Sequence, residues 1–257
     1  MKISQIKTAR TRRTPAAVVA EIRRMLKSGG SFEHAKGVQW FFKEEIKSHG
    51  WYTGDLRRVA RRYRGEIRNK SGIDSLVRTA DELFSGRVLE EKIFAVLLLE
   101  DLTGDFGESE FRLFESWLDR ISSWADHDGL VHYLIAPMIS AEPKRASKAF
   151  EWAKSPDRWH RRAACVSLIH GTRRKLFFSQ ITRLSSLLIG DEDDIVQKGL
   201  GWLLRETAKA DPHRTIPYLL KIREKAPRLV LRTACETLRQ TDRELVLNSR
   251  AKRRGTS

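Results

Sequence analysis

Apolar residues along this chain recur every three or four positions, the period of one buried face of an α-helix. Thr14 and Pro15 open the first such stretch as an N-cap followed by proline at the first helical position. Val18, Ile22, Met25 and Leu26 form its stripe before Gly29 and Gly30 stop it. The pattern predicts a second helix over 31–48, ending at Gly50, and a third over 55–67 with Leu56, Val59, Ala60, Tyr63 and Ile67 on one face. Further helices are predicted over 73–84, 89–102, 108–121, 125–140, 144–154, 156–170, 178–189, 193–209, 215–224, 228–240 and 242–249. Pro217 is placed near the start of the helix expected from Thr215. Strand-like alternation between hairpin turns is absent, as are a Gly-rich phosphate loop and a βαβ pattern, which argues against dinucleotide-binding and P-loop folds.

The second half repeats itself. Arg162-Ala-Ala-Cys-Val-Ser-Leu168 aligns with Lys198-Gly-Leu-Gly-Trp-Leu-Leu204 and with Arg232-Thr-Ala-Cys-Glu-Thr-Leu238, at steps of 36 and 34 residues. Stepping back 34 from Arg162 reaches Asp128-Gly-Leu-Val-His-Tyr-Leu134, a copy with an acid in the basic position. This period indicates stacked helix pairs, each burying one face on its neighbours. The expected architecture is an all-α, HEAT-like (ARM-type) helical-repeat solenoid with a concave basic surface. Equivalent repeat positions point the same way, so Asp128, Arg162, Lys198 and Arg232 should line one surface. Trp202 lies one helical turn beyond Lys198. Small residues (Ala163, Ala164, Gly199, Gly201, Ala234) should let the helices approach closely. The expected organisation is a basic N-terminal arm over 1–13, one repeat domain over 14–248 and a basic tail over 249–257.

Charge narrows the class of partner. Lys and Arg total 49 against 33 Asp and Glu, a net charge of +16 over 257 residues. That is more than solubility requires, and it points to a polyanion such as DNA, RNA or an anionic membrane surface. The longest apolar stretch, Ile93 to Leu99, is too short to span a bilayer. The basic N-terminus is followed by no signal-peptide core, and Cys165 and Cys235 sit inside apolar helical patterns as small buried residues. A cytoplasmic protein is expected. Motifs for a hydrolytic Ser or Cys nucleophile are missing, and His127 and His132 are spaced poorly for two metal ligands on one helix face. The acidic run Asp191 to Asp194 fits a loop and helix N-terminus.

Trp124, Asp128, Trp159, Arg162, Lys198 and Trp202 form an unusual set for a solvated face: one carboxylate among cations and indole rings. Taken alone, each has an ordinary alternative. The Trp residues could be packing, Asp128 a cap or surface acid, and Arg162 and Lys198 a solvated repeat face. Trp117, Trp152 and Trp159 are read as packing, and the Arg57 to Arg64 run as a solvated helix face, with phosphate contact as the second reading.

Several stretches resemble the bacterial DNA alkylation repair family, the AlkD-like DNA glycosylases. They are Trp117-Leu-Asp-Arg-Ile-Ser-Ser-Trp124 with Asp128, Trp152-Ala-Lys-Ser-Pro-Asp-Arg-Trp-His-Arg-Arg-Ala-Ala164, and Val196-Gln-Lys-Gly-Leu-Gly-Trp-Leu-Leu-Arg-Glu206. Looser similarity extends to Gly54-Asp-Leu-Arg-Arg58, where Gly54 replaces a usual proline, and to Glu90-Glu-Lys-Ile-Phe94. The resemblance implies a HEAT-like DNA glycosylase that needs no metal or cofactor and releases cationic N3- and N7-alkylpurines from duplex DNA, acting as a monomer and associated with the bacterial nucleoid. It implies Asp128 as the catalytic carboxylate, Trp124 and Trp202 as the site aromatics and Arg162 as a DNA contact. It also implies cleavage with the base still largely stacked in the duplex. Lys198, Arg161 and Arg232 join the expected DNA-binding set. Two details depart from the family pattern: Arg161 adds a cation beside Arg162, and Ala125, Asp126 and His127 fill the W-x-x-x-D interval. A non-catalytic module binding duplex, branched or damaged DNA is the alternative.

Overall fold

The computed structural model describes residues 13–247. The expected arm falls almost wholly, and the tail wholly, outside them. Described residues contain no strand, as the periodicity predicts. The chain packs as two compact units that divide after Leu102.

The first unit contains α1 (Pro15–Gly29), α2 (Phe32–Gln39), α3 (Thr53–Ser71), α4 (Ile73–Phe84) and α5 (Leu89–Leu99). Thr14 caps α1 by accepting from Ala17 N, as expected of Thr before proline. The predicted stripes supply the core: Ile22 and Leu26 from α1, Leu56, Ala60 and Ile67 from α3, and Phe94 and Leu98 from α5 are buried. The helix expected over 31–48 ends at Gln39. Beyond it, the Gln39 side chain bonds the carbonyl of Glu44 and the amide of Ile46, which folds the chain back. The buried Glu90 carboxylate then accepts from Ser48 Oγ at 2.6 Å, from His49 N and Gly50 N at 2.9 Å, and from Trp51 N at 3.3 Å. Four donors on one carboxylate offer this stretch more than a helical ladder would. Gly50 is required there, since its φ is +77° and a Cβ would fall 1.9 Å from the Ser31 carbonyl oxygen. Most of the arginine run on α3 is internally engaged: Arg57 pairs with Glu100, Arg58 with Asp55, and Arg64 with Asp101 and the Leu97 carbonyl.

The second unit contains α6 (Glu108–Ser116), α7 (Trp124–Leu130), α8 (Ala136–Ala141), α9 (Lys148–Trp152), α10 (Arg158–Val166), α11 (Ile169–Thr172) and α12 (Phe178–Leu188). It continues with α13 (Asp194–Ala210), α14 (Pro212–Ile222), α15 (Arg228–Ala234) and α16 (Gln240–Leu247). Several long predicted helices are divided. The one expected over 125–140 contains a wide π turn at Val131–Ile135 between α7 and α8. Pro137 accounts for it: proline has no N–H to donate, and its ring would strike the carbonyl four residues back, so the turn widens. The helix expected from Thr215 begins at Pro212, capped by Asp211, so Pro217 lies inside it.

The predicted repeat governs the packing here. Helices α10, α13 and α15, which carry the three aligned blocks, pack in series. Their small residues do the expected work. A Cβ on Gly201 would lie 2.6 Å from Thr233 Cβ of α15, and one on Gly199 would lie 3.2 Å from Arg162 Cγ of α10. Trp117, Trp152 and Trp159 are buried, as are Cys165 and Cys235. We expect Gly201→Ala to lower stability by about 1–3 kcal/mol through overpacking. Gly190→Ala, where an added Cβ meets nothing within 4 Å, should change it by no more than about 0.5 kcal/mol. Urea denaturation midpoints of the two variants check this, and equal midpoints would contradict the close α13–α15 contact.

Candidate active site

The site is built at the N-terminal ends of α7, α10 and α13, and each end is fixed by a short polar side chain. Ahead of α7, the Asp126 carboxylate accepts from the N and Oγ of Ser123 at 2.7 and 2.6 Å, and from the N and Oγ of Ser122 at 2.9 Å. Asp157 caps α10 by accepting from Trp159 N at 2.6 Å, and Asp193 caps α13 by accepting from Ile195 N at 2.9 Å. These caps satisfy backbone donors that a helix start leaves unpaired. Two of the four acids in the run 191–194 thereby receive structural roles, because Asp191 also takes the Arg161 guanidinium, with Nε at 2.6 Å.

Asp126 and Asp128 are two residues apart, and the structure separates their roles. Asp126 is fully buried and spent on the cap. Asp128 keeps 20% of its side chain exposed. Its carboxylate is gripped side-on by Arg162, with Nε 2.9 Å from Oδ1 and Nη2 2.7 Å from Oδ2. A third donor is His127, whose Nδ1 lies 2.7 Å from Oδ1. The remaining terminal nitrogen of Arg162, Nη1, donates to the Ile195 carbonyl of α13 at 2.6 Å. Only 7% of the Arg162 side chain is exposed, and Gly199 leaves the room it occupies. Arg162, expected as a DNA contact, is thus Asp128's counter-charge in this structure. The repeat arithmetic made the two neighbours: they stand 34 residues apart at equivalent positions.

Burial alone would raise the Asp128 carboxyl. The His127 hydrogen bond and the Arg162 charge outweigh it and hold the group at about 2, below the ordinary 3.8. A depressed carboxyl contributes stability that is complete above its unfolded value and disappears as pH falls through about 2. Across neutral pH Asp128 is an anion. Burial also pushes the His127 imidazole down, against the pull of Asp128, so Arg162 is the fixed cation of the group.

Around this ion pair stand the aromatics. Trp124 opens α7 one turn before Asp128 and is 37% exposed. Trp202 on α13 is half-buried, its ring 5.4 Å from that of His132, which lies one turn beyond Asp128. Lys198 is exposed and pairs with Asp194 at 3.3 Å, and Arg232 is exposed on α15. Arg161 faces away from Asp128 in its bonding: besides Asp191 it donates to the carbonyls of Ser155 and Pro156. Among the described residues no group of three His, Cys, Asp or Glu is placed to hold a metal ion, and no helix is long and apolar enough to cross a membrane.

A family profile described as DNA alkylation repair enzyme matches residues 22–238. The chain belongs to the DNA alkylation repair enzyme family. A solved structure titled as a predicted DNA alkylation repair enzyme from Enterococcus faecalis is similar, with a TM-score of 0.74 at 15% identity, covering 84% of this chain and 99% of that one. At that identity the likeness speaks to the helical-repeat fold. Comparison with curated proteins gives no match. DNA is the substrate implied for a DNA alkylation repair enzyme, which agrees with the net charge of +16.

Sequence reasoning missed His127 and His132. It weighed them as a metal pair, and His127 otherwise only as a filler of the W-x-x-x-D interval, whereas both are ring neighbours of the site. The available signal was a histidine immediately before the candidate Asp, and another one turn after it, in this repair enzyme. We expect Arg162→Met to raise the Asp128 carboxyl above its present value of about 2, as followed by NMR titration of the carboxyl carbon. The same variant should lose up to about 3–5 kcal/mol of stability, because a partly buried carboxylate loses its counter-charge. An unmoved titration would show that Arg162 does not set the ionisation of Asp128.

Proposed function

We propose that this repair enzyme is a monofunctional DNA glycosylase that hydrolyses the N-glycosidic bond of cationic N3- or N7-alkylpurines in duplex DNA, as a monomer and without a cofactor. The observation that carries the reading is the Asp128 carboxylate, ionised, partly open to solvent and fixed by three donors, with Trp124 one turn before it and Trp202 packed on His132 one turn after it.

The chemistry suits these groups. When the C1′–N bond of a cationic purine breaks, the electron pair goes to the base nitrogen and the base leaves neutral. No acid is needed on the leaving group. Positive charge moves onto the sugar as an oxocarbenium-like ion, and water then adds to C1′ and loses a proton to solvent. A carboxylate held near about 2 is a weak proton acceptor at neutral pH, so its part is electrostatic, stabilising the sugar cation and orienting the water. Three donors leave one lone-pair direction unused, on Oδ2, which among the described residues accepts only from Arg162. The faces of Trp124 and Trp202 suit a cationic base or sugar. Lys198 and Arg232, both exposed, are the phosphate contacts of this reading, and they supply affinity without sequence choice.

The closed Asp128–Arg162 pair favours a second reading, a non-catalytic module that binds duplex, branched or damaged DNA, since the pair has no net charge. Release of 7-methylguanine and 3-methyladenine from methylated duplex DNA, measured by chromatography, separates the two. Wild type is expected to release both. Asp128→Asn should slow release by roughly 100-fold or more, the scale of losing one preorganised electrostatic group, while keeping duplex affinity. Absence of release from wild type with salt-sensitive binding intact would establish the binding module.

A further inference from the structure

His127 is the one histidine of the described residues that is fully buried, at 0% exposure. Both ring nitrogens face oxygen acceptors. Nδ1 lies 2.7 Å from Asp128 Oδ1, and Nε2 lies 3.1 Å from the backbone carbonyl of Trp159 on α10. Its ring also rests on the Trp159 indole, with centroids 5.5 Å apart and planes tilted by 32°. The imidazole is therefore lodged between the carboxylate on α7 and Trp159 of α10, the helix that supplies Arg162.

Adjacent residues on a helix do not face each other. A bond between positions 127 and 128 forms only because the Asp128 carboxylate is turned back toward the imidazole, so its orientation depends on that bond. Both partners of Nδ1 and Nε2 are acceptors. The neutral ring places its single proton on Nδ1, where the carboxylate is the stronger acceptor, and Nε2 then faces the Trp159 carbonyl without donating to it. Arg162 also orients Asp128, but a DNA phosphate can compete for a guanidinium. No phosphate reaches a fully buried imidazole. His127 is the restraint that persists when Arg162 is shared.

We propose that His127 is a positioning residue for Asp128, a buried Nδ1 donor held against the Trp159 indole that fixes the direction in which the carboxylate points. The proposal rests on the reading of Asp128 as the catalytic carboxylate. His127 touches neither the base nor the sugar in this role and acts through Asp128.

Three substitutions test its two ring positions separately. His127→Asn keeps a donor where Nδ1 stands, His127→Gln keeps one where Nε2 stands, and His127→Phe removes both. Single-turnover base release from methylated duplex is expected to stay near wild type for Asn. It should fall roughly 10- to 100-fold for Gln and Phe, the scale of displacing a catalytic group by about 1 Å. Duplex affinity should be unchanged in all three. Equal loss in Asn and Phe, or greater loss in Asn than in Gln, would overturn the proposal. So would affinity losses that follow the rate losses. Thermal melts of each variant separate misfolding from misplacement, and a second measurement stands apart from activity. In 15N-labelled full-length protein, the His127 Nδ1 proton should give a downfield signal that moves or vanishes in Asp128→Asn. An Nδ1 without a proton, or a signal indifferent to Asp128→Asn, overturns the proposal even where release is normal. A wild type that releases no alkylpurine overturns the glycosylase reading instead, and the NMR result then decides the His127–Asp128 bond by itself.

Discussion

The second unit is organised around the cost of taking a carboxylate and a guanidinium largely out of water. Their mutual attraction offsets that cost only when the geometry is good and the remaining donors and lone pairs also find partners. Each local feature around Asp128 and Arg162 serves that condition. The Asp157 cap starts α10 where Arg162 can reach α7. Gly199 leaves space for the Arg162 side chain against α13. The Ile195 carbonyl takes a third guanidinium proton beside the two given to Asp128, and His127 donates to Asp128 Oδ1. Three helix starts are thereby tied to one ion pair, so the pair fixes the relation of α7, α10 and α13 as much as it depends on it.

This explains which parts of the molecule were legible in the sequence. Helical periodicity and a 34- to 36-residue repeat carry the fold, because they record a packing requirement that every turn must meet. The repeat also predicted that Asp128 and Arg162 would line one surface, and the structure brings them into direct contact. It did not show that Arg162 would be buried. A basic residue at a repeat position looks the same in sequence whether it meets solvent or a carboxylate. The difference lies in Gly199, whose missing side chain admits the guanidinium. The helix breaks were hidden for a similar reason. Gln39 ends α2 by bonds to backbone groups up to seven residues on, and Glu90 gathers four donors from a segment about 40 residues away. Hydrophobic spacing carries no record of either.

Histidine 127 was the hardest residue to read. Its position, one before the candidate acid, has no meaning on an ideal helix, where neighbours point apart. It acquires one through the turn of the Asp128 carboxylate toward the ring and the packing of that ring on the Trp159 indole, which the spacing of residues does not record. The Asp126 carboxylate was ambiguous for the opposite reason. Its spacing from Trp124 differs from that of Asp128 by only two residues, yet the serine donors at 122 and 123 consume it completely.

The ion pair also bears on how the proposed chemistry could work on a strongly cationic protein. A net charge of +16 draws DNA in, but it opposes the growth of positive charge on a sugar. Asp128 answers that opposition only at short range, because with Arg162 bound it acts as one end of a dipole, whose field falls off faster than that of a lone charge. Stabilisation is then confined to a sugar in contact with the carboxylate. A group whose influence reaches so short a distance must point in a fixed direction to be useful. Orientation, more than acidity, is what this arrangement of Arg162, His127 and the Trp159 indole controls.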